Sequence, residues 1–248
     1  MDTNPEFKIS VHQVLRAWWR DGLQHNGLVR TVRRLVAGLW EFLRQSTPEQ
    51  RRRRYGDVDY DWEHQVDTTS ATVGWRDRLL GTFLSPYQPT EPALFREMLE
   101  QLAINFSEFT FIDLGSGKGR TLLMASDFPF RCIVGVELVP ALHRVAQENI
   151  AAYKPESQKC FAVEAACADA RLYTFPLQPL VIYLFNPLQR AGLAEVVASL
   201  ERSLTERPRP VYLLYHNPLL DAVLSASKFL KRIHSTRQYS IYATRFQA

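Results

Sequence analysis

Asp113, Gly115, Gly117 and Gly119 lie together in Phe111-Ile-Asp-Leu-Gly-Ser-Gly-Lys-Gly-Arg120. A β-branched, aromatic run precedes them and Arg120-Thr-Leu-Leu-Met-Ala-Ser follows, so the glycines fall at a strand-to-helix turn. Such a turn brings backbone close to a ligand and aims N–H groups at it. A carboxylate inside the turn repels a pyrophosphate but suits a ligand carrying an ammonium group. Further along, Glu137, Asp169 and Asn186-Pro187 stand at or just past the ends of three more apolar runs. Nicotinamide and flavin sites use Gly-x-Gly-x-x-Gly, yet Arg120 occupies the place of the third glycine and Asp113 precedes the turn. The charge logic points instead to S-adenosyl-L-methionine, with its sulfonium, amino and carboxylate groups.

The elements that must position these residues follow from periodicity. It predicts strands over 109–113, 132–137, 160–166, 180–185, 210–215, 229–234 and 238–244. Helices are predicted over 91–102, 120–128, 140–153, 189–204 and 219–225. Alternating strands and helices give an α/β fold with a mostly parallel sheet covered on both faces. The two closing strands predict that the last one runs antiparallel. Ligands bind at the carboxyl edge of such a sheet, where Asp113, Glu137, Asp169 and Asn186 would gather.

Three regions are expected in the 248 residues: a basic helical extension and linker over 1–55, a lid or substrate-facing segment over 56–90, and the main domain over 91–248. Residues 1–54 hold 11 Lys/Arg against 5 Asp/Glu, so the net charge of +4 belongs to the extension. Leu28, Val29, Val32, Leu35, Val36, Leu39, Trp40 and Leu43 form one helical arc, with Arg30, Arg33, Arg34, Glu41 and Arg44 opposite. Gly22 and Asn26-Gly27 break the helical pattern before it, giving a hairpin. Two readings stand open: the apolar face packs on the main domain, or residues 10–45 contact a membrane surface or a protein partner. The arginine run 51–54 lacks the interleaving of a nucleic-acid site and reads as a linker, so no specific nucleic acid is expected. Residues 57–90 mix acids and aromatics with little periodicity. Three cysteines without metal spacing read as reduced thiols; no metal is expected, and the cytoplasm is the expected compartment.

The run Asp113-Leu-Gly-Ser-Gly-Lys-Gly119, with Glu137, Asp169 and Asn186-Pro187 in register, resembles class I (seven-strand) S-adenosylmethionine-dependent methyltransferases. The likeness covers residues 90–248 best and extends most closely to uncharacterised bacterial methyltransferases. It implies a Rossmann-like, seven-stranded sheet. It implies that Asp113, Gly115, Ser116, Gly117 and Gly119 hold the cofactor, Glu137 its ribose hydroxyls and Asp169 its adenine amino group. Asn186 and Pro187 would face the transferred methyl. Ser116 and Lys118 are read as contributing backbone more than side chain. Pro86-Tyr-Gln-Pro-Thr90 is similar, more weakly, to seven-strand protein lysine methyltransferases, which implies that Tyr87 and Thr90 line the site.

The expected reaction moves a methyl group to a nucleophilic, nitrogen-type acceptor, with protein lysine as one candidate and a small molecule as the alternative. Asn186-Pro-Leu-Gln189 lacks the second proline and aromatic of adenine- and glutamine-methylating enzymes. A non-catalytic, cofactor-binding scaffold tethered by its hairpin is the reading from another class. His216, after the fifth strand, is a candidate site residue; His143 reads as a surface histidine.

Overall fold

The structure, a computed structural model, describes residues 11–45, 58–69, 88–186 and 188–245. Seven strands make one sheet: β1 (Thr110–Leu114), β2 (Cys132–Glu137), β3 (Val163–Cys167), β4 (Leu180–Leu184), β5 (Val211–His216), β6 (Leu230–Ser235) and β7 (Tyr239–Thr244). Their order is β3-β2-β1-β4-β5-β7-β6. Strands β1 to β5 pair in parallel, and β7 runs antiparallel to both β5 and β6. The helices are α1 (Val11–Gln45), α2 (Val58–His64), α3 (Pro92–Glu100), α4 (Arg120–Ser126), α5 (Pro140–Ala152), α6 (Arg190–Glu206) and α7 (Asp221–Ser225). The Rossmann-like, mostly parallel sheet with a reversed last strand is therefore present.

Strands β1 and β4 are buried at every position, as central strands covered on both faces must be. Their successive side chains go to opposite cores. Ile112, Leu114, Leu180, Ile182 and Leu184 meet Leu193, Val196, Leu200 and Leu204 of α6. Phe111, Val181 and Tyr183 meet Phe95, Met98 and Leu99 of α3 and Leu122 and Met124 of α4. This alternation aims Asp113 and Tyr183, paired across the β1–β4 register, at the same face.

Two expectations change. The segment after the linker opens on a helix, α2, which the sequence pattern does not reveal. Seven residues show no clear period; acids in the first turn and His64 in the last complement its dipole. Within α1 only Gly27 leaves helical geometry (φ 73°, ψ 167°), so α1 is two helices joined there. Gly22 stays helical and makes room for Thr31, which a Cβ at Gly22 would approach to 2.7 Å. Contact between residues nine apart requires the chain to double back, as a hairpin does. Residues 46–57 and 70–87 lie outside the described residues, and with them Tyr87 and most of the expected lid.

Candidate functional site

β1 gives way to its glycines while still tied to β2. Gly115 N–H and Ser116 N–H both donate to Val136 O, at 2.8 and 3.1 Å. Gly115, Gly117 and Gly119 all take positive φ, at 92°, 54° and 84°. Other L-residues pay about 1–2 kcal/mol each in that region. The turn lies close on β2 because Gly135 has no side chain. A Cβ there would fall 2.5 Å from Leu122 Cδ1 and 2.7 Å from Ser116 Oγ. Ser116 therefore faces β2, and its buried hydroxyl has no hydrogen-bond partner among the described residues.

Two carboxylates flank the turn. Glu137 ends β2; its Oε2 accepts from Gly117 N–H at 2.8 Å and its Oε1 from Val139 N–H at 2.7 Å. Burial raises its pKa, opposed by these backbone N–H groups. Asp113 accepts from the Thr121 hydroxyl. Burial pushes Asp113 up to about 7; the Thr121 bond opposes that rise and the charge of Glu137 adds to it. Two acids in one desolvated corner favour a cationic ligand beside them.

Asp169 follows β3 and caps the 3-10 turn Ala170–Leu172, accepting from Arg171 N–H at 2.9 Å. Burial pushes its pKa up, but bonds and charge from Arg171 outweigh that and hold it below the usual value. It is thus at the expected edge but already holds a guanidinium.

The other end of the edge is neutral. The Tyr183 hydroxyl lies 2.8 Å from Thr90 Oγ1 and 2.8 Å from His216 Nδ1. His216 ends β5 and stacks on Phe185, with ring centroids 3.8 Å apart. Burial pushes its pKa down to about 4, so the imidazole is uncharged near neutral pH. Thr90 is buried, and this chain of hydrogen bonds joins it to His216 at the β4–β5 end of the edge. Asn186 has φ 46°; its Nδ2 donates to Asn217 O and its Oδ1 accepts from Tyr215 Oη at 2.7 Å. Its amide braces β4 against β5. Pro187 lies outside the described residues. His143 is half-buried in the first turn of α5, with Nδ1 unpartnered among the described residues. Its helix starts three residues after Glu137, which carries it to the same edge.

Lys118 corrects a further expectation. Its side chain is 2% exposed, and its Nζ donates to Asp67 Oδ1 at 2.7 Å. Arg120, also buried, donates through Nε to Thr68 Oγ1 at 2.7 Å, pairs with Asp61 at 3.3 Å and lies 4.7 Å over the Tyr60 ring. Asn149 fastens both sides: its Nδ2 donates to Asp67 O and Lys118 O, and its Oδ1 accepts from Asp67 N–H. The acidic residues of 58–69 thus clamp the cationic side chains of the glycine turn. The signal available in the sequence was opposite charge, Asp61 and Asp67 against Lys118 and Arg120, over more than 50 residues of separation.

Residues 85–168 match the family described as histone methylation protein DOT1. No curated protein matches the chain. Among solved structures, an RNA methyltransferase from Salinibacter ruber in complex with S-adenosyl-L-homocysteine is 20% identical, with a TM-score of 0.44 over 63% of this chain and 92% of that one. TrmN from Thermus thermophilus is 20% identical, with a TM-score of 0.46 over 61% of this chain and 47% of that one. The putative methyltransferase yhhF from Escherichia coli is 14% identical, with a TM-score of 0.47 over 63% of this chain and 87% of that one. In the sheet of this chain and the motifs along its carboxyl edge, the protein resembles the class I (seven-strand) S-adenosylmethionine-dependent methyltransferases, and over residues 85–168 it matches the DOT1 histone methylation family.

Proposed function

We propose that the chain is an S-adenosylmethionine-dependent methyltransferase acting on a nitrogen nucleophile. The observation that carries the cofactor is the desolvated pair Asp113 and Glu137 beside a glycine turn of positive φ. A ligand bearing an ammonium and a sulfonium relieves such a pair, whereas a dinucleotide pyrophosphate aggravates it. Asp113 and the turn would hold the methionine end, and Glu137 the ribose, since each carboxylate oxygen has lone pairs beyond those its N–H partners use. Asp169 would meet the adenine side, with Arg171 as its present partner.

When bound, the cofactor supplies an electrophilic methyl on a sulfonium that leaves as a neutral thioether. The chain then has three tasks: orient the acceptor, keep its nucleophile neutral and receive an N–H. His216 suits the last. Its imidazole stays uncharged, and Tyr183 anchors Nδ1, which leaves Nε2 as the ring's other polar atom. With Nδ1–H donating to Tyr183 and Tyr183 donating to Thr90, Nε2 is an acceptor for an amine N–H. Phe185 gives the acceptor an apolar wall.

The histone methylation family match adds support for a protein as the acceptor, and lysine is the side chain that the resemblance of residues 86–90 implies. Transfer of tritiated methyl from S-adenosylmethionine tests this: label in lysine of protein fractions is expected. Label confined to small molecules would retain the methyltransferase and overturn the protein acceptor. Absence of label with cofactor bound would favour a binding scaffold.

A further inference from the structure

The second half of α1 has three sides. At about 100° per residue, with Leu28 at zero, Val32, Val36, Val29 and Trp40 follow within about 120°. All five are exposed, from 41% for Val32 to 81% for Val29. Thr31 and Leu35 fall on the side next to Leu28. Thr31 is buried against Gly22, and its Oγ1 donates to Gly27 O at 2.8 Å, so that side faces the first helix of the hairpin. Arg33 and Arg30 fall at about 140° and 200°, and both are exposed. The apolar side is therefore not the one used to close the hairpin. It lies open, with arginines along one margin.

We propose that this side docks on an anionic lipid surface. Two observations select lipid as the occupant. The margin of the apolar arc carries the exposed Arg30 and Arg33 and is complementary to acidic headgroups. Trp40 sits at that margin, between the aliphatic residues and Arg33, where an indole meets the headgroup level. No helix of the described residues is long and apolar enough to cross a membrane, so the helix lies in the interface plane. The long arginine stems allow the aliphatic side to sink while the guanidinium groups stay at the headgroups. Docking would hold the methyl-transfer edge near substrates at a membrane, independently of which acceptor that edge uses.

Co-sedimentation of the full chain with vesicles tests the proposal. Vesicles of about one-third phosphatidylglycerol in phosphatidylcholine should bind the chain at low salt. Pure phosphatidylcholine, or about 0.5 M NaCl, should lower binding tenfold or more, because the Debye length then shrinks severalfold. Arg30→Glu with Arg33→Glu should lower it by a similar factor. Val32→Asp should lower it even at low salt. These side chains are exposed, so unchanged circular dichroism and unchanged S-adenosylhomocysteine affinity serve as controls. Failure of the folded wild-type chain to sediment with anionic vesicles would overturn the proposal. Binding unaffected by Val32→Asp would also overturn it, as would self-association through this face without vesicle binding.

Discussion

The two ends of the sheet's carboxyl edge differ in charge. At β1 and β2 the polar groups are carboxylates, Asp113 and Glu137, both buried and both held above their usual pKa by desolvation. At β4 and β5 they are neutral: Tyr183, His216, Asn186 and Tyr215, joined in hydrogen-bonded chains and walled by Phe185. One end suits a positive charge and the other an uncharged group. The methyl transfer proposed above would use this asymmetry, because its donor is a cation and its nitrogen nucleophile must present a lone pair.

The contrast predicts that variants at one end leave the other's readout alone. The largest effect is expected from the clamp under the carboxylate end. Asp61→Ala removes the acceptor of the Thr68 and Thr69 N–H groups and the partner of buried Arg120. A loss of about 3 kcal/mol is expected in denaturant unfolding, as for breaking a buried ion pair. Glu137→Ala should weaken S-adenosylhomocysteine binding by roughly 30- to 100-fold, or about 2–3 kcal/mol, through lost charge-assisted hydrogen bonds.

Asp113 gives a pH signature. Its folded pKa of about 7 lies above the ordinary 3.8, so the folded chain keeps a proton that the unfolded chain has released. Stability contributed by this group therefore falls as pH rises from about 4 to about 7. Asp113→Asn should remove that slope, leaving the variant relatively more stable above pH 7. Affinity for S-adenosylmethionine should rise with increasing pH up to about 7, by up to about tenfold per pH unit, in the wild type. The variant should bind more weakly and without that dependence.

At the neutral end, His216→Ala should lower kcat about tenfold while the cofactor Kd changes less than twofold. Tyr183→Phe should give a smaller drop of the same kind, since the imidazole loses an anchor but keeps its stack on Phe185. Loss of cofactor affinity in either variant would erase the distinction between the two ends.

The strands and their order of use were readable because each is a short apolar run closed by a polar residue at the ligand edge. Boundaries moved by one to three residues where tertiary bonds decide them. β1 extends to Leu114 because Gly115 N–H still reaches Val136 O. The carboxylates at 113 and 137 were readable from type and spacing. The burial of Lys118 and Arg120 was not, because it depends on Asp67, Asp61 and Asn149, which are remote in sequence and converge only once α2 docks. His216 carried a signal of position but not of state; its neutrality comes from burial beside Phe185. The open apolar side of α1 could not be told from a packing face, since both share one periodicity.

The most direct test is titration calorimetry of the purified chain with S-adenosylhomocysteine, beside Glu137→Ala and His216→Ala. One site is expected in the wild type and in His216→Ala, with affinities within twofold, and a loss of roughly 30-fold or more in Glu137→Ala. A folded wild-type chain that releases no heat of binding, or equal affinity in all three proteins, would contradict the assignment of the Asp113–Glu137 corner to the cofactor.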